Sequence, residues 1–125
     1  MKTIKDSPTG VDSPGTIIEL MEKEWPEMTK EFRRLQVQQY ELFLHKQHDY
    51  GPGNISVGTQ LITKEEVHLS LTGLWFRMND KIQRLRQLVL LNEEAKVKTE
   101  SVKDTFQDLS IYGIIAQIVK NKKWK

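Results

Sequence analysis

The amino-acid sequence predicts an all-α protein, a helical bundle of three main helices and a short N-terminal helix. Apolar residues recur at helical spacing in three long segments, and no segment has the alternating pattern of a strand. The chain has 125 residues with only 7 glycines and 4 prolines, which is typical of a single helical domain.

The N-terminal residues 1–15 are predicted to form a flexible arm, and residues 16–125 a single helical domain. The arm contains Ser7-Pro8 and Ser13-Pro14-Gly15 and few apolar anchors. A short helix should follow from about Thr16 to Trp25. Pro26 either separates it from the next helix or lies in the first turn of that helix.

The second helix is predicted from Glu27 to about Gln47. The segment 49–54 contains two glycines and a proline, which end a helix, and the loop should continue through Thr59.

Thr63 and Glu66 have the spacing of a capping box, which predicts that the third helix begins here and reaches about Leu91. We expect one continuous apolar side on this helix, made of Val67, Leu71, Leu74, Met78, Ile82, Leu85 and Val89.

A charged connector from Asn92 to Thr99 precedes the last helix, predicted from Glu100 to Lys120 with Thr99 as N-cap. Because the connector is short, the third and last helices should form an antiparallel hairpin.

Composition excludes several classes of function. The net charge of +2, from 19 basic and 17 acidic residues, is too balanced to indicate nucleic acid as a direct partner. Cysteine is absent, which excludes disulfides and thiolate chemistry, and the three histidines do not form a recognisable zinc-ligand set. The sequence has no apolar run long enough for a membrane span and no signal-peptide pattern, so we expect a cytoplasmic protein without a membrane partner.

An acidic row on the last helix is the first candidate site. Glu100, Asp104 and Asp108 are spaced four residues apart and continue into a row of Ile111, Ile115 and Ile118. Carboxylates that face a bundle interior need cations, and this spacing suits Mg²⁺. The alternative is that acids in a first turn simply favour the helix dipole.

A basic cluster on the third helix is the second candidate site. Arg77, Lys81 and Arg84 could grip phosphates, with Asp80 adding a metal ligand, on a side away from the apolar row. The hairpin should bring this cluster to the height of the acidic row. An ordinary ion pair between Asp80 and Arg84 is the alternative.

The end of the second helix is the third candidate site. Lys46, Asp49 and Tyr50 could reach a ligand from the glycine-containing loop. The same segment is also a sufficient helix terminator, with His45 pairing with Asp49.

Together, three signatures resemble the nucleotide-modification-associated helical domain of phages and bacteria. They are His-x-x-x-Asp49-Tyr50-Gly51, Arg77-x-x-Asp80-Lys81-x-x-Arg84-Leu85 and Glu100-x-x-x-Asp104-Thr105-x-x-Asp108-Leu109-x-x-Tyr112, within about residues 40–117. The resemblance implies a role in phage-type nucleotide metabolism.

A looser similarity exists to the all-α nucleoside triphosphate pyrophosphatases, which hold Mg²⁺ with Glu-x-x-Glu and Glu-x-x-Asp motifs. Glu100 and Asp104 are one residue further apart than that second motif, and Glu24-x-x-Glu27 has the spacing of the first but contains Pro26.

Two nucleotide-related functions and one purely structural alternative follow. One is a Mg²⁺-dependent nucleoside triphosphate pyrophosphohydrolase with Glu100 and Asp104 as catalytic residues. Its metal ligands would be Glu100, Asp104, Asp80 and Asp108, and its phosphate-binding residues Lys46, Arg77, Lys81 and Arg84. The other is a helical oligomer that binds or sequesters a nucleotide or nucleotide-derived signal without hydrolysing it. The structural alternative is an interaction protein with no nucleotide ligand.

Apolar groups on other sides of the third helix predict a homo-oligomer that completes the bundle. They are Leu69, Phe76 and Leu90, and Trp75 lies at the edge of the apolar row.

Overall fold

The computed structural model describes residues 14–96 and 100–125, and its regular structure is entirely helical, which confirms the all-α prediction. The α-helices are α1 (Pro14–Glu24), α2 (Pro26–Tyr50), α3 (Gly53–Ser56), α4 (Lys64–Leu85) and α5 (Val102–Lys120). A π-helical turn, Arg86–Leu90, extends α4. Most of the predicted arm lies outside the described residues, and its last two members, Pro14 and Gly15, belong to α1.

Two compact units divide the chain, Met1–Glu41 and Leu42–Lys125. In the described part of the first unit, α1 is followed directly by the first part of α2. An ion pair of 3.3 Å joins Arg33 of α2 to Glu22 of α1. The hydroxyl of Thr29 donates to the Trp25 carbonyl at 2.9 Å where the two helices meet.

The core of the second unit is made by α3, α4 and α5. Its buried apolar residues are Ile55, Leu74, Ile111, Ile115 and Val119. Phe43 near the end of α2 and Trp124 after α5 both pack against this core. Their two rings contact each other edge to face, with centroids 6.0 Å apart.

The capping box predicted at the start of α4 is present. The Thr63 hydroxyl accepts from the Glu66 amide at 3.1 Å, and the Glu66 carboxylate accepts from the Thr63 amide at 3.0 Å. The same carboxylate also accepts from the Ile62 amide. These bonds satisfy amides that have no partner within the helix.

The predicted continuous apolar side of α4 is wrong in its second half. Leu74 is buried, but Ile82 and Val89 are about half exposed. The reason is the direction from which α5 packs. α5 contacts Lys81 and Arg84, which lie on a different side of the helix from the predicted apolar row.

The predicted N-cap of α5 is also wrong. Ser101 caps the helix, its hydroxyl accepting from the Asp104 amide at 3.1 Å while Asp104 accepts from the Ser101 amide at 3.0 Å. Thr99 lies outside the described residues, and Glu100 precedes the helix. The predicted burial of Ile111 and Ile115 is correct, whereas Val119 is more deeply buried than Ile118.

α2 continues three residues beyond its predicted end. It stops where Gly51 takes a left-handed φ of 69° and its amide donates to the Gln47 carbonyl at 2.8 Å. The following segment, predicted as loop, contains the short helix α3. Among the described residues, no helix is long and apolar enough to cross a membrane.

Candidate functional site

A pocket of ≈ 270 Å³ opens in the second unit between the end of α2, α3 and the facing sides of α4 and α5. This volume is just below the usual range for small-molecule sites, about 300–1,000 Å³. The residues that line it are Phe43, Lys46, Gln47, Tyr50, Asn54, Ile55, Arg77, Asp108, Ile111, Tyr112 and Ile115. Four of the predicted site residues are therefore brought to one place, namely Lys46, Tyr50, Arg77 and Asp108.

Asp108 is held between two lysines at the edge of this pocket. Its Oδ2 lies 3.0 Å from Lys81 Nζ on α4, and its Oδ1 lies 3.6 Å from Lys46 Nζ on α2. The side chains of Lys81 and Asp108 are 20% and 21% exposed, whereas that of Lys46 is 49% exposed. The antiparallel hairpin of α4 and α5 thus brings basic and acidic groups together, as the sequence analysis predicted.

The charge state of Lys81 follows from this arrangement. Burial alone would lower the pKa of Lys81, but the hydrogen bond and negative charge of Asp108 outweigh burial and raise this pKa above its ordinary value. The charge of Glu100 acts in the same direction. Lys81 is therefore a permanent cation at neutral pH.

Arg77 holds the backbone of α3 at the pocket. Its Nη2 donates to the backbone carbonyl of Asn54 at 2.9 Å. One of the five guanidinium donors is thereby used on the protein itself. Arg77 still lines the pocket, so it combines a structural bond with a positive charge beside the ligand space.

The segment that carries α3 is held by two further side chains. Ser70, which is almost fully buried, donates from its hydroxyl to the Ile55 carbonyl at 2.7 Å. Trp124 donates from its indole nitrogen to the Pro52 carbonyl at 3.0 Å. Together with the Arg77 bond, these contacts fix the backbone of residues 52–55 against α4 and the C-terminal end.

Two amide oxygens in the pocket are buried without a hydrogen-bond partner among the described residues. They are Oε1 of Gln47 and Oδ1 of Asn54. Leaving a buried acceptor unpaired costs about 1–3 kcal/mol, so such atoms call for an explanation. Neither residue is predicted as a site residue from the sequence, because an amide leaves no charge or spacing pattern, although Gln47 and Asn54 flank the Asp49-Tyr50-Gly51 signature.

Arg84 does not line this pocket, and its hydrogen bonds have a structural role. Its Nε donates to the buried Thr105 hydroxyl at 3.2 Å and its Nη2 donates to the Glu100 backbone carbonyl. Its Nη1 also lies 3.5 Å from the Glu100 carboxylate. The guanidinium therefore joins α4 to the start of α5.

Asp104 is part of the α5 capping box. The backbone hydrogen bond from Ser101, then the Ser101 hydroxyl, and then Lys103 and Lys46 lower the pKa of this carboxyl. The spacing Ser101-x-x-Asp104 is itself a capping signature, and this signal in the sequence could have indicated the structural role.

Asp49 and Asp80 are both exposed to solvent. Asp49 interacts with Nδ1 of His48 at 3.1 Å, in place of the predicted pair with His45. Neither Asp49 nor Asp80 lines the pocket.

The four predicted metal ligands do not gather in one place. In the two described segments, 14–96 and 100–125, no group of three or more histidine, aspartate or glutamate side chains could hold a metal ion. Asp108 is the carboxylate among the residues that line the pocket.

A family model described as "Nucleotide modification associated domain 1" matches residues 46–119. The matched range covers more than half of the chain and includes every residue that lines the pocket except Phe43. No curated protein and no solved structure matches the chain, so the similarity to the all-α pyrophosphatases stays a prediction.

Proposed function

The chain belongs to the nucleotide modification associated domain 1 family, as its motifs predicted, and we propose that its pocket binds a nucleoside or deoxynucleoside phosphate. The family description associates the domain with nucleotide modification. Resemblance to domains of phages and bacteria supports a role in the nucleotide metabolism of a bacterial or phage-infected cell.

One observation carries the proposal: Asp108, an anion, sits between two ammonium groups at the edge of the pocket. Lys46, Lys81 and Arg77 give three positive charges, and subtracting the one negative charge of Asp108 leaves an excess of two. A phosphate can replace the carboxylate as the partner of Lys46, the more exposed of the two lysines. The phosphate chain would therefore lie along Lys46 and Arg77, with Lys81 supporting Asp108.

The remaining lining suits a nucleoside. Phe43, Tyr50 and Tyr112 present aromatic surface on the same pocket. Aromatic side chains stack on bases, and such stacking contributes about 1–3 kcal/mol per base. A pocket with cationic groups and aromatic faces side by side matches the two halves of a nucleotide.

Magnesium belongs to the proposal as a cofactor delivered with the ligand. Mg²⁺ commonly takes one or two protein carboxylates and completes its shell with waters and substrate phosphates. Asp108 is positioned for this role, whereas Glu100 and Asp104 are engaged at the start of α5 and Asp80 lies away from the pocket. When bound, the ion would neutralise phosphate charge.

Binding without hydrolysis is the function that the geometry favours, because the pocket offers one carboxylate and no second acid beside it among its lining residues. Release of pyrophosphate from a triphosphate is the second candidate, favoured by the location of Asp108 next to the cationic groups. Incubation with triphosphates and Mg²⁺, followed by chromatography of the ligand, separates the two.

Calorimetric titration with a panel of nucleotides tests the proposal. We expect Lys46→Ala to weaken binding at least tenfold, because Lys46 is the exposed cation of the pocket. Lys30→Ala, an exposed lysine on the same helix, serves as the matched control and should bind normally. Absence of binding for every nucleotide would contradict the proposal.

We also propose that the protein is a homo-oligomer. Several large apolar side chains of the second unit are 48–79% exposed, namely Leu69, Trp75, Phe76 and Leu90. Burying them between copies would remove apolar surface from water. Light scattering that gives the mass of a monomer would contradict this part.

A further inference from the structure

Two side-chain amides, those of Gln47 and Asn54, face the pocket with their nitrogen atoms. Their oxygens, Oε1 and Oδ1, are closed off from the pocket space and from water. The amide nitrogens Nε2 and Nδ2 are accessible from the pocket, and neither donates a hydrogen bond to a described residue. Because each nitrogen carries two N–H groups, the two amides offer unused donors to a bound molecule.

This orientation of the two amides is favoured by the cost of the opposite one. Turning either amide over would bury its NH2 group without a partner, and buried N–H groups without a partner are rarer in proteins than buried oxygens without one. The backbones are fixed as well. The Gln47 carbonyl accepts from the Gly51 amide, and the Asn54 carbonyl accepts from Arg77 at 2.9 Å. The NH2 groups are therefore held on the pocket side.

The other polar groups of the pocket are mostly donors too. Lys46 and Arg77 are cations whose side chains have no acceptor atom. Asp108 is an acceptor, but its two oxygens already face two ammonium groups. The hydroxyls of Tyr50 and Tyr112 can donate or accept. A ligand group that enters beside the amides therefore meets N–H donors, and it must present an acceptor to pair with them.

Nucleobases differ in the group that they present at the exocyclic position of the base edge. Thymine and guanine carry a carbonyl oxygen, O4 or O6, whereas cytosine and adenine carry an amino group in the corresponding position. Uracil and hypoxanthine carry the carbonyl as well. An amide NH2 group that meets a carbonyl gains a hydrogen bond, whereas one that meets an amino group stays unpaired and is repelled.

We propose that Gln47 and Asn54 select nucleotides whose base carries a carbonyl oxygen in this position, the amide nitrogens donating to the base. This inference rests on the proposed nucleotide-binding function and adds the class of base. Phosphate oxygens are acceptors too, but Lys46 and Arg77 supply charged donors for them. The neutral amides are therefore left for the neutral part of the ligand.

The test uses pairs of nucleotides in which a carbonyl group replaces an amino group. In calorimetric titrations of the full chain, dUTP should bind at least tenfold more tightly than dCTP, and dITP at least tenfold more tightly than dATP. The phosphates and sugars are identical within each pair, and only the exocyclic group and the proton on the adjoining ring nitrogen change. The ratio of the two affinities therefore reports on the base edge alone.

Substitutions then assign the preference to the two amides. Gln47→Glu and Asn54→Asp keep the shape of each side chain but replace the NH2 donor by an acceptor oxygen, and together they should reduce the tenfold preference to less than threefold. Their negative charge weakens the binding of every nucleotide, so the readout is the ratio within each pair. Gln47→Leu and Asn54→Leu remove the donors without adding charge and should reduce the ratio in the same way. Gln38→Glu, at an exposed glutamine on the same helix as Gln47, is the matched control and should keep the ratio.

Each outcome decides between the inference and the function beneath it. If nucleotides bind but carbonyl bases bind no more tightly than amino bases, the inference is wrong and the nucleotide-binding function stands. If the double leucine variant weakens both members of a pair equally, the amides contact the phosphate or the sugar, which also overturns the inference. If no nucleotide binds at all, the proposed function and the inference are both wrong.

Discussion

Lys81 and Asp108 form an ion pair of 3.0 Å that joins α4 to α5 beside the pocket. Each side chain is about four-fifths withdrawn from water, so the pair is only weakly screened by solvent. Lys46 approaches the second oxygen of the same carboxylate from α2 at 3.6 Å. One acidic residue therefore connects three helices and separates two ammonium groups that would otherwise repel each other.

Asp108→Asn should strengthen the binding of nucleotides in the absence of Mg²⁺. The substitution removes a negative charge that competes with phosphate for Lys46, and we expect a gain of about tenfold, equivalent to 1.4 kcal/mol. In the presence of Mg²⁺ the same variant should lose affinity, because it removes the carboxylate proposed to hold the ion. Calorimetric titration with and without Mg²⁺ measures both effects.

Asp80→Asn is the matched control for this substitution. It makes the same change of charge on α4 at a side chain that is exposed and outside the pocket lining. Its effect on affinity should be small in both conditions. If Asp108→Asn behaves like Asp80→Asn, phosphate does not compete with Asp108 and the proposed binding arrangement is wrong.

The stability of the protein should fall in acid through the capping box of α4. The backbone hydrogen bond from Thr63, followed by that from Ile62, lowers the pKa of Glu66 in the folded state. Because the unfolded chain then takes up a proton at a higher pH than the folded chain, this contribution is present above the ordinary pKa of a glutamate. The contribution begins to be lost below about pH 5, where the unfolded chain takes up its proton, and it disappears as the pH falls through the lowered pKa of the folded state.

Glu66→Gln isolates this effect, since glutamine keeps an oxygen acceptor for the two amides but does not titrate. Urea midpoints measured between about pH 3 and pH 7 should fall more steeply in acid for the original protein than for the variant. Parallel pH profiles for the two proteins would show that Glu66 contributes nothing to the acid response.

Ser70→Ala should loosen the segment that carries Asn54. The substitution deletes the 2.7 Å bond to the Ile55 carbonyl and leaves a buried acceptor without its partner, at a cost of about 1–3 kcal/mol. Urea denaturation measures the loss of stability.

Thr72→Ala, two residues further along α4, controls for the gain in helix propensity that alanine brings. It should raise or preserve stability. A loss of stability in Thr72→Ala equal to that in Ser70→Ala would rule out the proposed role of the Ser70 bond.

Contacts between residues that are close in the sequence were predictable. The antiparallel pairing of α4 with α5 was predictable as well, because the connector between them is short. The Thr63–Glu66 capping box depends on residues three apart, and its pattern survives in any fold. The meeting of Lys81 with Asp108 depends on the antiparallel hairpin, which the short connector between α4 and α5 requires. Both features could therefore be read before the structure was known.

Contacts that depend on the direction of packing were not predictable in the same way. Arg84 was assigned to phosphate because its charge and spacing fit, but the approach of α5 turns it toward Thr105 and the Glu100 carbonyl. Asn54 and Gln47 gain their significance only from a pocket that three separate helices enclose. A single sequence carries no periodic signal for such a position.

Leu74 and Ile82 provide a direct comparison of the correct and the wrong part of the predicted apolar row on α4. Leu74 is 2% exposed and contacts the core of the second unit, whereas Ile82 is 52% exposed. Leu74→Ala should cost about 2–5 kcal/mol, since it removes buried methyl groups and leaves a cavity. Ile82→Ala should change stability by no more than about 0.5 kcal/mol in the monomer, as exposed substitutions usually do.

Chemical denaturation at low protein concentration measures the stability changes of both variants. The same measurement at high protein concentration tests whether Ile82 is covered by association. If Ile82 is covered in the proposed homo-oligomer, the cost of Ile82→Ala should grow with protein concentration, because association stabilises the folded state by mass action. The cost of Leu74→Ala should show no such additional growth, since that side chain is already buried within one chain. A large, concentration-independent loss for Ile82→Ala would mean that α4 packs with its other side inward, against the arrangement described above.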